Sequence, residues 1–171
     1  MKRFVITVAC LLAACAVQKG FTDRECEVIA SQSGAVMRLC RIGDRADSLF
    51  LRRKAAPLGA EELRSEYFRL LKQGMLLTAR DPADEGVGIA APQVGVSRRL
   101  IAVQRFDKGC LSVPETSGTV LRADRIVLRY LDETTMRPVT DTVEGFTAVI
   151  FQHEIDHLDG VLFIDRMQRG N

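Results

Sequence analysis

The stretch Gln152-His153-Glu154-Ile155-Asp156-His157-Leu158-Asp159-Gly160 contains the only two histidines of the 171-residue chain. Its H-E-x-x-H spacing predicts a helix with both imidazoles on one face, because residues four apart in a helix lie above one another. Two imidazoles so placed can bind one divalent metal ion, and Glu154 could then transfer a proton to or from a neighbouring water. An ordinary amphipathic helix with two partly buried histidines has the same pattern, so the motif alone leaves both interpretations open.

The residues around the motif support a helix. Thr142 and Glu144 precede it and offer a capping side chain and a negative charge near the positive end of the helix dipole. Gly160 predicts where the helix ends. Apolar side chains repeat between these limits at helical spacing: Phe146, Val149 and Ile150.

A third metal ligand must come from another residue type, because the chain has no third histidine. Phe163 occupies the position of the third histidine in metzincin proteases, and no glutamate follows His157 as a thermolysin-like site requires. Both protease classes are therefore disfavoured. Cys110 is the best remaining candidate, since a thiolate binds a borderline metal strongly. A buried, inert cysteine is the alternative interpretation.

Two further motifs accompany the histidine motif: Gly86-Val87-Gly88-Ile89-Ala90-Ala91-Pro92-Gln93 and Gly109-Cys110-Leu111-Ser112. The first is not a dinucleotide-binding signature, because its final glycine and the following helical pattern are missing. In this order the three motifs resemble those of the peptide deformylases, and the resemblance extends from about Met37 to Met167. It implies an α+β fold in which antiparallel or mixed sheets pack around a central metal-binding helix.

The resemblance implies an enzyme that hydrolyses the N-formyl group of N-formylmethionyl peptides or nascent chains and releases formate. Glu154 would carry the proton from water to the leaving amine. The Gln93 side-chain amide and the Leu111 backbone N–H would stabilise the negative oxygen of the tetrahedral intermediate. One divalent metal ion is implied, Fe²⁺ in most family members, with Zn²⁺, Ni²⁺ or Co²⁺ able to replace it. Its ligands would be Cys110, His153 and His157.

Substrate binding is also implied by the resemblance. The backbone at Val87, Gly88 and Ile89 would pair with the extended peptide as an added strand, and glycine permits a close approach. The methionine side chain would enter an apolar pocket bordered by three residues of the metal-binding helix: Phe146, Val149 and Ile150. Core packing is the alternative for each of the three, and both roles are compatible because a pocket wall is also core.

The chain departs from the family pattern just before Cys110. The family usually has a longer segment between the glycine and cysteine motifs, with an extra strand introduced by Asn-Pro, whereas here Gln104 leads within a few residues to Gly109. The family also has a glutamate, expected to pair with Arg122, where this chain has Lys108. Either the sheet lacks a strand, which would weaken activity, or Lys108 and Gly109 are not adjacent in the complete protein.

The rest of the sequence predicts one compact domain. Its length and its 47% hydrophobic content are sufficient for a single core. A formal net charge of +2 gives no argument for nucleic-acid binding, and we expect a monomer. The predicted elements are a helix over 61–77, strands over 98–104 and 125–131, a turn at 132–135 and a hairpin strand over 137–143.

The N-terminus resembles a bacterial lipoprotein signal. Met1-Lys2-Arg3 is a basic start, an apolar run follows over 4–14, and Leu12-Ala13-Ala14-Cys15 matches a lipoprotein cleavage box. The apolar run is too short to be a permanent membrane span.

This interpretation divides the chain into a signal peptide (1–14), a tether (15–36) and a catalytic domain (37–171). Lipidated Cys15 would then hold the enzyme on a membrane outside the cytoplasm. The alternative is a cytoplasmic protein translated from an internal start near Met37.

Three functions remain open from the sequence. The first is the deformylase. The second is a catalytically weakened, lipid-anchored relative that binds formyl peptides, which Lys108 and the short segment before it would favour. The third is an H-E-x-x-H metalloprotease. The intact set of implied site residues favours the first, because a decayed enzyme would more often have lost one of them.

Overall fold

The structure is a computed structural model that describes residues 20–83, 88–103, 110–114 and 116–168, together with the backbone of 5–6. Its helices are α1 (Asp23–Ser31), α2 (Arg45–Leu51), α3 (Ala60–Leu63), α4 (Glu66–Ala79), α5 (Gly145–Leu158) and α6 (Phe163–Arg166). Its strands are β1 (Val5–Ile6), β2 (Gly88–Ala90), β3 (Ile101–Val103), β4 (Arg125–Leu131) and β5 (Pro138–Glu144). Within these ranges no helix has the length and apolar character needed to cross a bilayer.

Two small antiparallel sheets flank the central helix. One has the strand order β1-β3-β2, with Ile89 of β2 opposite Ala102 of β3. The other is the β4–β5 hairpin, in register from Arg125 opposite Glu144 to Leu131 opposite Pro138. The hairpin and its turn agree with the prediction: the Asp132 carboxylate accepts hydrogen bonds from the Thr134 and Thr135 backbone N–H groups.

Helix α5 packs against both sheets through its apolar side chains. Phe151 and Leu158 of α5 form one buried cluster with residues of both sheets, which are Ala90, Ile101 and Leu128. Burial of this face fixes the rotation of α5 about its axis, and so determines where the histidines point. The predicted α+β class, with sheets packed around the helix of the histidine motif, is confirmed.

The end of α5 is fixed by Gly160, as predicted, whereas its start is not capped as expected. Gly160 has φ +74°, and a Cβ on it would lie 2.4 Å from the carbonyl oxygen of Arg52. Glu144 occupies the N-cap position but makes no side-chain capping bond, because its carboxylate pairs with Arg125 across the hairpin at 3.1 Å.

The helix predicted over 61–77 is two helices. Ser65 separates α3 from α4, and its hydroxyl accepts a hydrogen bond from the Phe68 backbone N–H at 3.1 Å. A serine that caps a new helix takes extended backbone angles, and this interrupts the helical path.

The strand predicted over 98–104 is also shorter than expected. Only Ile101–Val103 forms β3, while Arg98 and Arg99 pair with Ala56 in an isolated parallel bridge. Gln104 lies outside the described residues.

The segment expected to be a tether includes α1, which is part of the folded domain. Thr22 and Glu25 form a reciprocal capping box at its start. Ile29 is buried in the main core, and Glu25 pairs with buried Arg98 at 2.9 Å. Residues 20–36 therefore pack as structure rather than as an extended linker, so the domain begins before residue 37. Cys15 lies outside the described residues.

Candidate metal and catalytic site

Three potential metal ligands converge on one point of the fold. One ligand atom from each of Cys110, His153 and His157 lies within 4.8 Å of the other two. Cys110 Sγ is 3.3 Å from His157 Nε2, and the two imidazole rings meet edge to face at 4.8 Å between centroids. The histidines come from successive turns of α5, while Cys110 comes from the loop after β3. The structure thus assembles the three ligands implied by the sequence.

The electrostatics of this cluster suit a cation. Burial lowers the pKa of His153 to about 4 and that of His157 to about 3, with help from nearby Arg122 in both cases. Both imidazoles are therefore neutral at pH 7, which is the form that binds a metal. Burial raises the pKa of the Cys110 thiol to about 12. The thiol would have to lose its proton to a metal, as coordinating thiols do. A divalent ion fits this donor set.

Glu154 is buried beside the ligands without a compensating charge. It is 2% exposed, and burial raises the pKa of its carboxyl to about 8. Its Oε2 has no hydrogen-bond partner among the described residues. An uncompensated buried carboxyl is costly, which marks this one as a functional group.

Gly88 makes the position of Glu154 possible. A Cβ on Gly88 would lie 2.5 Å from Glu154 Oε1 and 2.8 Å from its carboxyl carbon. The glutamate side chain therefore lies directly on the backbone of β2. From the sequence, Gly88 is expected to act only toward the substrate, and no local signal predicts this contact with Glu154.

Gln93 is the next polar side chain of the site. It lies in a 3-10 turn, Ala91–Val94, and is 1% exposed. Its Oε1 accepts a hydrogen bond from the Ala90 backbone N–H at 2.8 Å, and its Nε2 donates to Ser112 Oγ at 3.2 Å. Leu111 precedes Ser112 in the cysteine loop and is also buried. Ser112 belongs to a motif that the sequence analysis quoted, but nothing in the sequence alone linked it to Gln93.

Arg122, the expected partner of the glutamate that this chain lacks, pairs with Asp156. Its Nη1 donates to Asp156 Oδ2 at 2.5 Å, and Arg166 Nε lies 2.7 Å from the same oxygen. Asp156 lies between the two histidines on α5, so the two arginines connect this helix to the loop before β4 and to α6. Lys108, which stands where the family has a glutamate, lies outside the described residues.

The residues expected to bind substrate belong to two elements, β2 and α5. Gly88 and Ile89 are buried in β2, which lies at an edge of its sheet, and Val87 is outside the described residues. On α5, Ile150 is buried, Val149 is half-buried and Phe146 is 52% exposed. Phe146 therefore has much free surface at the start of the helix, whereas Ile150 belongs mainly to the core.

A family model described as polypeptide deformylase matches the chain over residues 36–109 and 103–171. The peptide deformylase of Chlorobium phaeobacteroides (strain BS1) is 38% identical over 146 residues, covering 70% of this chain and 76% of the relative. That of Halothermothrix orenii is 37% identical over 156 residues, covering 78% and 95%.

Solved structures of peptide deformylases are similar to this chain in fold. The actinonin-bound class I type b peptide deformylase of Acinetobacter baumannii has a TM-score of 0.67 and 36% identity, covering 78% of this chain and 99% of that chain. The actinonin complex of the enzyme described as from Synechococcus elongatus has a TM-score of 0.67 and 28% identity, covering 92% and 88%. Because the family model matches most of the chain and the Chlorobium and Halothermothrix relatives are 38% and 37% identical to it, this chain belongs to the polypeptide deformylase family and is an enzyme.

Proposed function

We propose that this enzyme hydrolyses the N-formyl group of N-formylmethionyl peptides, giving formate and a free amino terminus, through the residues assembled around α5. One observation carries the assignment: Cys110, His153 and His157 meet beside a buried carboxyl in a chain of this family. A related deformylase from A. baumannii has been solved with Met-Ala-Ser bound, at 32% identity. A peptide of that sequence is what deformylation of formyl-Met-Ala-Ser would leave.

The metal would be held by Cys110, His153 and His157, and Fe²⁺ is the ion we propose, with Zn²⁺, Ni²⁺ and Co²⁺ compatible with the same donors. A divalent cation bound there supplies positive charge that polarises water or a carbonyl oxygen and favours the ionised form of a neighbouring carboxyl. Arg122 and Arg166 hold Asp156, and through it keep the two histidine-bearing turns of α5 in place.

Glu154 would move the proton. Glu154 lies on the same helix as both histidines, and burial raises its pKa to about 8 in the metal-free protein, from where a bound cation would lower it toward neutral pH. A general acid–base group works best when its pKa lies near the working pH. Glu154 would therefore accept a proton from the attacking water and deliver it to the leaving amine.

Gln93 and Leu111 would stabilise the developing oxyanion. The Ala90 N–H holds Gln93 Oε1, which leaves the Nε2 end of the amide as the donor side. Leu111 would contribute its backbone N–H from the cysteine loop. Donors fixed in advance lower the barrier because they need no reorganisation during the reaction.

The peptide would bind along the edge of β2, with Val87, Gly88 and Ile89 as partners for its backbone. Its methionine side chain would lie against Phe146, Val149 and Ile150 of α5. The exposed surface of Phe146 and the edge position of β2 support this arrangement.

Formate release tests the proposal. The full chain would be loaded anaerobically with Fe²⁺ and given formyl-Met-Ala-Ser, with the Glu154→Gln variant and an internal-peptide substrate in parallel. We expect formate from the wild type, almost none from the variant and no internal cleavage. Peptide binding without formate, by a metal-loaded protein, would instead identify the weakened binding relative. Internal cleavage would identify a protease.

Membrane attachment through lipidated Cys15 is a separate proposal, and its support is the lipoprotein-like N-terminal sequence. In the structure β1 pairs with β3, so cleavage before Cys15 would remove this strand. The test is the mass and detergent partitioning of the mature protein, compared with a Cys15→Ala variant. An unprocessed, unlipidated protein would favour the cytoplasmic alternative.

A further inference from the structure

We infer that Ser112 is a positioning residue whose hydroxyl holds the Gln93 amide in the orientation that the reaction needs. The inference rests on the proposed function, because it requires Gln93 to contact the reacting carbonyl. The observation behind it is a buried connection between the glycine motif and the cysteine loop, with both side chains almost inaccessible: Gln93 is 1% exposed and Ser112 is 0% exposed.

The hydrogen bonds of Gln93 determine which way its amide faces. Its Oε1 accepts from the Ala90 backbone N–H at 2.8 Å, and only the oxygen end of an amide can accept that bond. The Nε2 end therefore points toward the cysteine loop, where Ser112 Oγ accepts one of its two hydrogens at 3.2 Å. No second acceptor meets Nε2 within the described part of the chain, so one N–H remains available to a substrate oxygen.

The backbones of both residues are fixed by one extended segment. The Cys40 N–H donates to the Gln93 carbonyl oxygen at 2.7 Å, and the Ile42 N–H donates to the Ser112 carbonyl oxygen at 3.1 Å. Residues 40–42 thus set the spacing between the 3-10 turn and the cysteine loop. With both backbones anchored, the torsion of the Gln93 side chain is set by two contacts, the Ala90 N–H at its oxygen end and the Ser112 hydroxyl at its nitrogen end.

Ser112 also connects the two proposed oxyanion donors. It follows Leu111, whose backbone N–H is the second donor, and it binds Gln93, whose side chain is the first. Removing the hydroxyl would leave a buried amide hydrogen without its acceptor and would let the side chain rotate. A displacement of about 1 Å at a reacting group costs up to roughly a hundredfold in rate, so the effect should appear in kcat.

The test compares Ser112→Ala, Gln93→Ala and the double variant as Fe²⁺-loaded full chains acting on formyl-Met-Ala-Ser. We expect Ser112→Ala to lower kcat per bound metal by about ten- to a hundredfold with KM within about twofold. Since the hydroxyl acts through Gln93, the double variant should be no slower than Gln93→Ala alone. Thr78→Val is the matched control, because Thr78 is also 0% exposed and hydrogen-bonded but belongs to α4; it should lower stability and leave kcat unchanged.

Each outcome separates the inference from the proposed function. Unchanged kcat in Ser112→Ala, or a loss that persists in full when Gln93 is already alanine, would overturn the inference and leave the function intact. Unchanged kcat in Gln93→Ala would contradict the role of Gln93 in the proposed function. If Ser112→Ala does not fold or bind metal, a comparison of kcat between Ser112→Thr and Ser112→Cys tests the inference instead. Thr keeps a strong acceptor and Cys does not, so the inference requires the higher kcat per metal from Thr, and equal values refute it.

Discussion

The chain buries two clusters of charged or titratable side chains, and the clusters differ in whether their buried carboxyl groups have a counter-charge nearby. Arg98, 3% exposed, lies between the carboxylates of Glu25 and Glu62, at 2.9 and 3.5 Å, and donates a further bond to the Gly20 carbonyl oxygen. The cluster on α5 has no such balance: Glu154 Oε2 and His157 Nδ1 lack partners within the described residues. Glu62 Oε1 also has no hydrogen-bond partner among the described residues, but the Arg98 guanidinium lies 3.5 Å away as its counter-charge. The first cluster therefore supplies its own counter-charge and holds structure together. The second lacks a counter-charge, and the ion and substrate that we propose would supply its missing partners.

Removing the charge of Glu154 should have the largest effect. Glu154→Gln keeps the size of the side chain but cannot accept a proton, so kcat should fall by about 10³-fold, within the range of general acid–base catalysis. Metal content, measured by atomic emission, should stay the same because Glu154 is not a ligand. Loss of the metal from this variant would contradict its assignment as the proton carrier.

The structural cluster should respond in stability rather than in chemistry. Arg98→Met leaves two buried carboxylates near each other without a cation, and we expect a loss of about 3 kcal/mol in the free energy of unfolding, measured in urea. The exposed pair Arg69–Glu66 is the control, because solvent screens it and Arg69→Ala should leave the free energy of unfolding nearly unchanged. Equal losses in the two variants would show that burial does not distinguish these pairs.

The pH dependence of metal-free stability should distinguish the clusters further. The pKa of Glu154 is raised from 4.5 to about 8, so the folded state holds a proton that the unfolded state has lost. Its contribution to stability is complete below pH 4.5 and is lost as the pH rises through about 8. Between pH 6.5 and 8, above the titration of unfolded histidine, we expect the metal-free protein to lose about 1–2 kcal/mol.

Chemical denaturation at several pH values measures how the free energy of unfolding changes with pH. Glu154→Gln should flatten this pH dependence. Arg98→Met should lower the free energy of unfolding but leave the pH dependence in place. A wild-type curve parallel to that of Glu154→Gln over this range would mean that Glu154 is already ionised in the metal-free protein.

The smallest effect concerns metal affinity. The Cys110 thiol, with its pKa raised to about 12, must lose a proton when a metal binds, whereas the neutral imidazoles need not. Apparent affinity for Zn²⁺ should therefore rise at least about tenfold per pH unit near neutrality, since each released proton contributes about 1.4 kcal/mol per unit. Calorimetry in buffers of different ionisation enthalpy counts the protons. The Glu154→Gln variant should release about one proton when it binds Zn²⁺. A count near zero protons would exclude Cys110 as a thiolate ligand.

Features that depend on residues close together in the chain could be predicted from the sequence, whereas contacts between distant residues could not. The hairpin and α5 follow from local periodicity, and the three ligands follow from motif spacing and family resemblance. Helix α1 was missed because its polar residues suggested a tether, although Thr22 and Glu25 form a readable capping box. Ser65 was a similar local signal for the break between α3 and α4.

Other features have no local signal. The contact between Gln93 and Ser112 joins residues 19 apart in the chain, and Arg122 meets Asp156 across 34 positions. Periodicity reports which face of an element is buried, not which side chain from another element meets it. The residues that orient the site therefore became visible only when the elements were packed together.

Two positions without side chains set limits on variation in this enzyme. At Gly88 a methyl group would collide with the Glu154 carboxyl, and at Gly160 it would collide with the backbone of Arg52. In a library carrying every single substitution, both positions should be depleted after selection, Gly88 for lost turnover and Gly160 for lost abundance. Sorting the library separately by expression and by activity would therefore separate the two glycines, although the same added atom is excluded from both.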